Sequence, residues 1–111
     1  MEKKYPNEWT QEQYMRQKIE LAKIGVKVLL IDTIANEIDG ADTVLYNRHT
    51  LKDEPKDTVL VFYCDSGKAT HDRLKEYKKR FVDQHCISLK GGRGNWRKYF
   101  QILDLDDTNK T

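Results

Sequence analysis

One stretch constrains the rest of the chain: residues 58–70, which read TVLVFYC and then DSGKAT. An unbroken run of β-branched and apolar residues, bounded by polar turn signals, is the pattern of a strand buried on both faces. This run ends at Cys64, passes through a polar loop containing Gly67, and gives way at His71 to a helix-forming segment. A strand that ends this way delivers a thiol to a turn made of backbone amides.

The flanking chain repeats the alternation. Residues 1–8 read as a loose leader. Thr10 is placed to cap a helix, Gln13 completes a capping box, and Trp9 is placed to staple onto Tyr14. Tyr14, Ile19, Leu21 and Ala22 give an approximate apolar stripe, and Gly25 is the C-terminal stop. Trp9 and Tyr14 read as packing residues, with ligand-binding aromatics as the alternative. Residues 26–31 form a second doubly buried strand that ends at Asp32, a carboxylate that either organises a site or caps the next turn. A turn over 38–41 leads to a short strand over 43–46, and the polar segment 47–57, with Pro55, reads as a surface connection.

After the loop, Thr70 is placed to cap a helix over 71–82 that puts Leu74, Tyr77 and Phe81 on one face. A short strand covers 86–89, Gly91-Gly92 breaks the chain, and a last helix is expected over 93–103 with Trp96, Tyr99 and Phe100 packed inward. Strands that alternate with helices pair most economically in parallel through crossovers. The chain is therefore expected to be α/β, with one domain over 9–103 and an acidic tail over 104–111.

Bulk properties exclude several classes. At 111 residues and a net charge of +2, the chain is one modest domain with no bias toward nucleic acid. Lys75, Lys78, Lys79 and Arg80 read as the solvated face of their helix. No apolar run approaches the ~20 residues of a membrane span, and the start MEKKYPNEW lacks the apolar core of a signal peptide. The expected compartment is the cytoplasm, where two cysteines are free thiols. His49, His71 and His85 do not have the spacing of a metal-ligand set.

In a parallel sheet, ligands sit beyond the carboxyl ends of the strands, and Cys64 lies at such an end. Gly67 permits a tight or left-handed backbone, with Ser66, Lys68 and Thr70 around it. Amides of such a loop converge on one point, and the following helix adds its positive end; both favour thiolate over thiol. Read alone, Cys64 could equally be a small apolar residue closing a strand; the loop and the helix after it favour a nucleophile. Cys86, near the start of its strand, reads as core. It lies about four residues, at ~3.3 Å each, from the level of Cys64, too far for a disulfide. His71 is either a proton donor near Cys64 or a surface residue at the helix start. An arginine six positions after the cysteine, which oxyanion hydrolysis would need, is replaced by Thr70. A second cysteine three residues on, which dithiol exchange would need, is replaced by Gly67.

The order strand, cysteine, loop, helix, strand, Gly-Gly-x-x-x-Trp, here VLVFYCDSGKAT and then CISLKGGRGNW, resembles that of the single-domain rhodanese-like sulfurtransferases. The likeness covers about half the chain, and its most specific parts are the cysteine loop and Lys90-Gly91-Gly92 followed by Trp96. Val28–Asp32 is similar to the family's first strand and aspartate, and Ile38, Gly40 and Ala41 fit the turn after it. The resemblance implies a rhodanese-like fold, a small parallel sheet of about four or five strands flanked by helices on both faces. It implies that Cys64 takes up sulfane sulfur as a persulfide from a donor such as thiosulfate or a persulfide. The sulfur then passes to a thiophilic acceptor, a small molecule or a protein thiol, with no cofactor. The amides of Asp65, Ser66, Gly67, Lys68, Ala69 and Thr70 would cradle the sulfur, with Asp32 and His71 behind them. The chain departs from the family at Ile34, where an arginine is usual, at Glu37 and Asp39, and at Asp65 and Ala69 within the loop. Asp65 opposes thiolate formation and anionic donors, and Lys68 offsets it. A catalytically weak binding or redox-sensing module is the competing reading.

Overall fold

The structure is a computed structural model and describes residues 5–98 and 100. In chain order the elements are β1 (Glu8–Trp9), α1 (Gln11–Ala22), β2 (Val28–Asp32), β3 (Thr43–Leu45), α2 (Arg48–Lys52), β4 (Val59–Tyr63), α3 (Lys68–Arg80) and β5 (His85–Leu89). A single 3₁₀ turn, Arg93–Asn95, follows. The five strands make one sheet in the order β1-β5-β4-β2-β3, and every pairing is parallel.

The strand identified first in the sequence is the middle of this sheet. All five residues of β4 are buried, and the period of two divides them between two cores. Val59, Val61 and Tyr63 join Leu30, Ile87 and Leu89 beneath Tyr14 and Leu21 of α1. Leu60 and Phe62 join Ile31 and Cys86 beneath Leu74 and Tyr77 of α3 and Leu51 of α2. Phe62 and Tyr77 stack with ring centroids 4.1 Å apart. Helices therefore cover both faces, and that is why the run from Val59 to Tyr63 is apolar throughout.

The capping box at Thr10 and Gln13 forms as expected, and Gly25 turns the chain at a positive φ of 79°. Several other expectations are corrected. Ile19 and Ala22 face outward, and the buried stripe of α1 is Gln11, Tyr14 and Leu21. Residues 7 and 8, expected to be leader, instead lie along β5 together with Trp9, whose side chain is buried in the same core as Tyr14. There the Ser88 amide donates to the Asn7 carbonyl at 2.9 Å and the Lys90 amide to that of Trp9 at 2.8 Å. The connection over 47–57 contains α2, because the Asn47 side chain caps it through the amides of His49 and Thr50 and Leu51 is buried. Gly67, not Thr70, is the N-cap of α3.

The expected last helix is not formed over its described residues. The Arg93 amide donates to the Cys64 carbonyl and the Gly94 amide to the Asp65 carbonyl, each at 2.8 Å. The Arg97 amide is taken by the Gln11 side chain at 2.7 Å, and Trp96 is extended. Glycines at 91, 92 and 94 give this segment little helical preference, so the tertiary bonds win. The first four residues of the expected leader, Tyr99, residues 101–103 and the acidic tail lie outside the described residues.

Candidate active site

Cys64 follows β4 directly, at the carboxyl end of the central strand. The strand end is pinned one residue earlier: the amide and hydroxyl of Thr33 both donate to the Tyr63 carbonyl, at 3.3 and 2.7 Å. The chain then runs out through Asp65 and Ser66, both exposed, and returns at Gly67, which is buried with a φ of 89°. That left-handed conformation points the Gly67 amide back at the cysteine, and it donates to Sγ at 3.2 Å. The Thr70 hydroxyl, on the first turn of α3, lies 3.6 Å from the same sulfur.

These contacts decide the ionisation of Cys64. Burial by itself pushes the thiol up, since only 4% of the residue is exposed. The amides of Thr70, Gly67 and Ser66, together with the Thr70 hydroxyl, outweigh it and hold the thiol below its ordinary value of 9.0. Donors aimed at a sulfur stabilise its charged form, and the start of α3 supplies them without any basic side chain. Lys68 is exposed, and its amide donates to the Ser66 hydroxyl at 3.4 Å.

The second glycine segment backs the loop. A Cβ on Gly92 would overlap the Cys64 carbonyl oxygen and stand 2.7 Å from the Gly67 nitrogen; one on Gly67 would meet the Gly91 nitrogen at 2.8 Å. Gly92 also has φ 58° and ψ −154°, a region open essentially to glycine alone. The GG of the sequence is thus a close approach of two backbones. The Arg93 and Gly94 amides complete it by holding the carbonyls of Cys64 and Asp65.

The other residues singled out in the sequence divide sharply. Asp32 is buried, and its Oδ1 accepts from the Ile34 amide at 2.9 Å, so it caps the turn after β2. His71 is exposed on α3, its Nδ1 3.7 Å from Glu8 Oε2. Cys86 is free and buried opposite Leu60, four residues before Cys64 along β4, and burial pushes its thiol up to about 12. Ser66, Gly67 and Thr70 are brought together around the sulfur. Asp65 is exposed on the loop and Ala69 on the first turn of α3.

Sequence reasoning does not single out Ser88. It is fully buried in β5, its Oγ 2.7 Å from Thr70 Oγ1. The available signal is a hydroxyl inside the otherwise apolar CISL. Gln11 is a second such residue: its side chain closes a two-bond clamp on the Arg97 backbone, at 2.9 and 2.7 Å. Beside this clamp lies a cavity of about 370 Å³, lined by Thr10, Lys90, Gly92 and Trp96 among others. Gly92 connects its wall to the cysteine loop. Among the described residues no group of three His, Cys, Asp or Glu side chains is placed to hold a metal ion, and no helix is long and apolar enough to cross a membrane.

The fold and the site together define a parallel α/β protein with a buried cysteine at the carboxyl end of its central strand, its sulfur within reach of the Gly67 amide and the Thr70 hydroxyl. No family model matches the sequence, and no curated protein matches it. Among solved structures the chain is similar to a rhodanese homolog, TT1651, from the extremely thermophilic bacterium Thermus thermophilus. The identity is 15% and the TM-score 0.48, with 78% of this chain and 96% of that one covered. It is also similar to the BH2092 protein from Bacillus halodurans, at 14% identity and a TM-score of 0.48, covering 89% of this chain and 88% of that one.

Proposed function

We propose that the protein is a rhodanese-like sulfurtransferase that carries sulfane sulfur as a persulfide on Cys64. The observation that carries this reading is the convergence on Sγ of the Gly67 amide at 3.2 Å and the Thr70 hydroxyl at 3.6 Å. A reactive thiolate needs donors and no adjacent base, and that is what the loop offers. The thiolate attacks the outer sulfur of a donor; the donor's S–S bond breaks, and its leaving group, sulfite or a thiolate, departs with the electron pair. Cys64 then holds a terminal sulfur that bears the negative charge, and the loop amides are the groups that stabilise it. A thiophilic acceptor attacks that terminal sulfur, and the Cys64 thiolate returns as leaving group. The cycle is redox-neutral and needs no cofactor.

Asp65 adds a carboxylate to the mouth of the loop, and Lys68 adds the cation that offsets it, so donors of low charge suit this mouth better than dianions. A cytoplasmic setting, where persulfide donors and protein thiols coexist, fits this chemistry. Incubation with thiosulfate or a low-molecular-weight persulfide, followed by intact-mass measurement before and after cyanide, tests the proposal. The expected result is one added sulfur atom on Cys64 that cyanide removes, and no addition in Cys64→Ser. A protein that never gains a cyanide-removable sulfur is not a sulfurtransferase. The competing reading as a binding module calls for a thiol of ordinary pKa, and the donors on Cys64 Sγ weigh against it; a redox-sensing cysteine shares the thiolate, and peroxide that leaves Cys64 unmodified would dispose of that reading.

A further inference from the structure

We propose that Ser88 is a positioning residue for Cys64, its buried hydroxyl orienting the Thr70 hydroxyl hydrogen toward the sulfur when the sulfur is charged. The inference rests on reading Cys64 as a reactive thiolate. Ser88 is fully buried among the apolar Cys86, Ile87 and Leu89 of β5, and Thr70 is 1% exposed. A buried hydroxyl there costs stability unless it is bonded. The two oxygens are 2.7 Å apart, the shortest contact of the cluster. Each also lies 3.4 Å from the Gly67 carbonyl oxygen, and of the two only Thr70 reaches the sulfur.

Two hydroxyl hydrogens serve this cluster, and the Gly67 carbonyl already accepts from the His71 amide at 3.2 Å. It therefore needs neither of them. With a thiolate present, Ser88 donates to Thr70, which leaves the Thr70 hydrogen for the sulfur, and each bond in such a chain polarises the next. With a neutral thiol, the S–H donates to Thr70 Oγ1, Thr70 donates to Ser88, and Ser88 donates to the Gly67 carbonyl. Both arrangements use the same atoms without leaving a hydrogen unplaced. Without Ser88, the Thr70 hydrogen is divided between the Gly67 carbonyl at 3.4 Å and the sulfur at 3.6 Å.

The charged and titratable groups around the cluster have partners or positions of their own. From α3, Tyr77 stacks on Phe62 and bonds to Arg73, while His71 faces Glu8. From β2, Asp32 is turned on the Ile34 amide. From the 3₁₀ turn, Arg93 Nε donates to the Glu37 carbonyl at 2.9 Å. Asp65 is exposed on the loop itself, and Lys68 is exposed at the first position of α3. Ser88 and Thr70 supply the neutral donors between these charges.

The test is a double-mutant cycle on the pH profile of Cys64 alkylation by iodoacetamide, with the adduct mapped by mass. Ser88→Ala is expected to raise the apparent pKa, lowering the thiolate fraction at neutral pH about threefold to tenfold, the effect of one ordinary hydrogen bond, because Ser88 acts on the sulfur through the Thr70 hydroxyl. Thr70→Ala is expected to lower that fraction at least as far, and the double variant no further than Thr70→Ala alone. In a Thr70→Ser background, which keeps the hydroxyl, Ser88→Ala retains its effect. An unchanged pKa in Ser88→Ala, or an equal shift from Ser88→Ala with and without the Thr70 hydroxyl, overturns the proposal. Ser88→Cys, which keeps the volume with a weaker donor, gives the same readout if Ser88→Ala does not fold. No sulfur donor enters the measurement, so a protein that fails to load sulfur overturns the sulfurtransferase reading and leaves this result standing.

Discussion

Cys64 and Cys86 are the same residue at nearly the same burial, 4% exposed each, and their thiols are driven in opposite directions. Cys86 meets apolar side chains near the start of β5, so only burial acts on it strongly. Cys64 stands one residue past a strand end, where amides that a sheet would otherwise use point at its sulfur. Iodoacetamide at neutral pH is expected to label Cys64 and leave Cys86 unmodified in the folded protein, as mass mapping would show. The loop that makes this difference depends on glycine geometry. Gly92→Ala forces a Cβ onto the Cys64 carbonyl at a φ of 58°. It is expected to cost about 1–3 kcal/mol in urea unfolding and to raise the Cys64 pKa by moving the cradle. Gly25→Ala is the control: its φ is 79° with nothing within 4 Å, so it should cost about 1–2 kcal/mol without touching Cys64 reactivity.

At the scale of elements, β4 and α3 are one device: the strand brings the sulfur, and the helix start brings the donors. Phe62 couples them within the core under α3, fully buried and stacked on Tyr77. Phe62→Ala is expected to destabilise by about 3–5 kcal/mol, read from denaturant unfolding. The segment after β5 is held differently, by the Gln11 clamp on Arg97. Gln11→Ala should cost about 1–3 kcal/mol and speed hydrogen exchange at the Arg97 amide, because that amide then has only solvent as acceptor. The central strands are legible in the sequence because burial on both faces leaves a continuous apolar run. The two-residue β1 is not: a pairing with Ser88 and Leu89, some eighty positions away, leaves no local period. The 3₁₀ turn is hidden for the same reason, since its amides are claimed by Cys64 and Asp65.

For the whole molecule, the parallel sheet brings the carboxyl ends of β2, β4 and β5 to one edge, where the cysteine loop, the Thr33 pin and the double-glycine segment meet. The edge strands β1 and β3 are only two and three residues long, which leaves little free edge for another chain to pair with. The two thiols also give global stability a pH signature. Cys64, with its folded pKa below 9.0, binds fewer protons folded than unfolded. Its contribution is present above pH 9.0 and is lost as pH falls through the folded value. Cys86 has the opposite sign: its contribution is complete below pH 9.0 and is lost as pH rises toward about 12. Urea unfolding of the wild type and Cys64→Ser should therefore show a stability difference that grows in favour of the wild type as pH rises from neutrality to about 9. A constant difference would mean that the cradle does not favour the thiolate. From sequence alone the chain determined its central strand, the helix-capped alternation around it and the cysteine at the strand's end, because each is written in neighbouring residues. Only the tertiary structure decided that Gly67 rather than Thr70 starts the helix, that Ser88 stands under Thr70, and that the last glycines lie against the loop instead of opening a helix. Those outcomes depend on hydrogen bonds between residues far apart in the chain, and such bonds exist only once the sheet has brought their partners together.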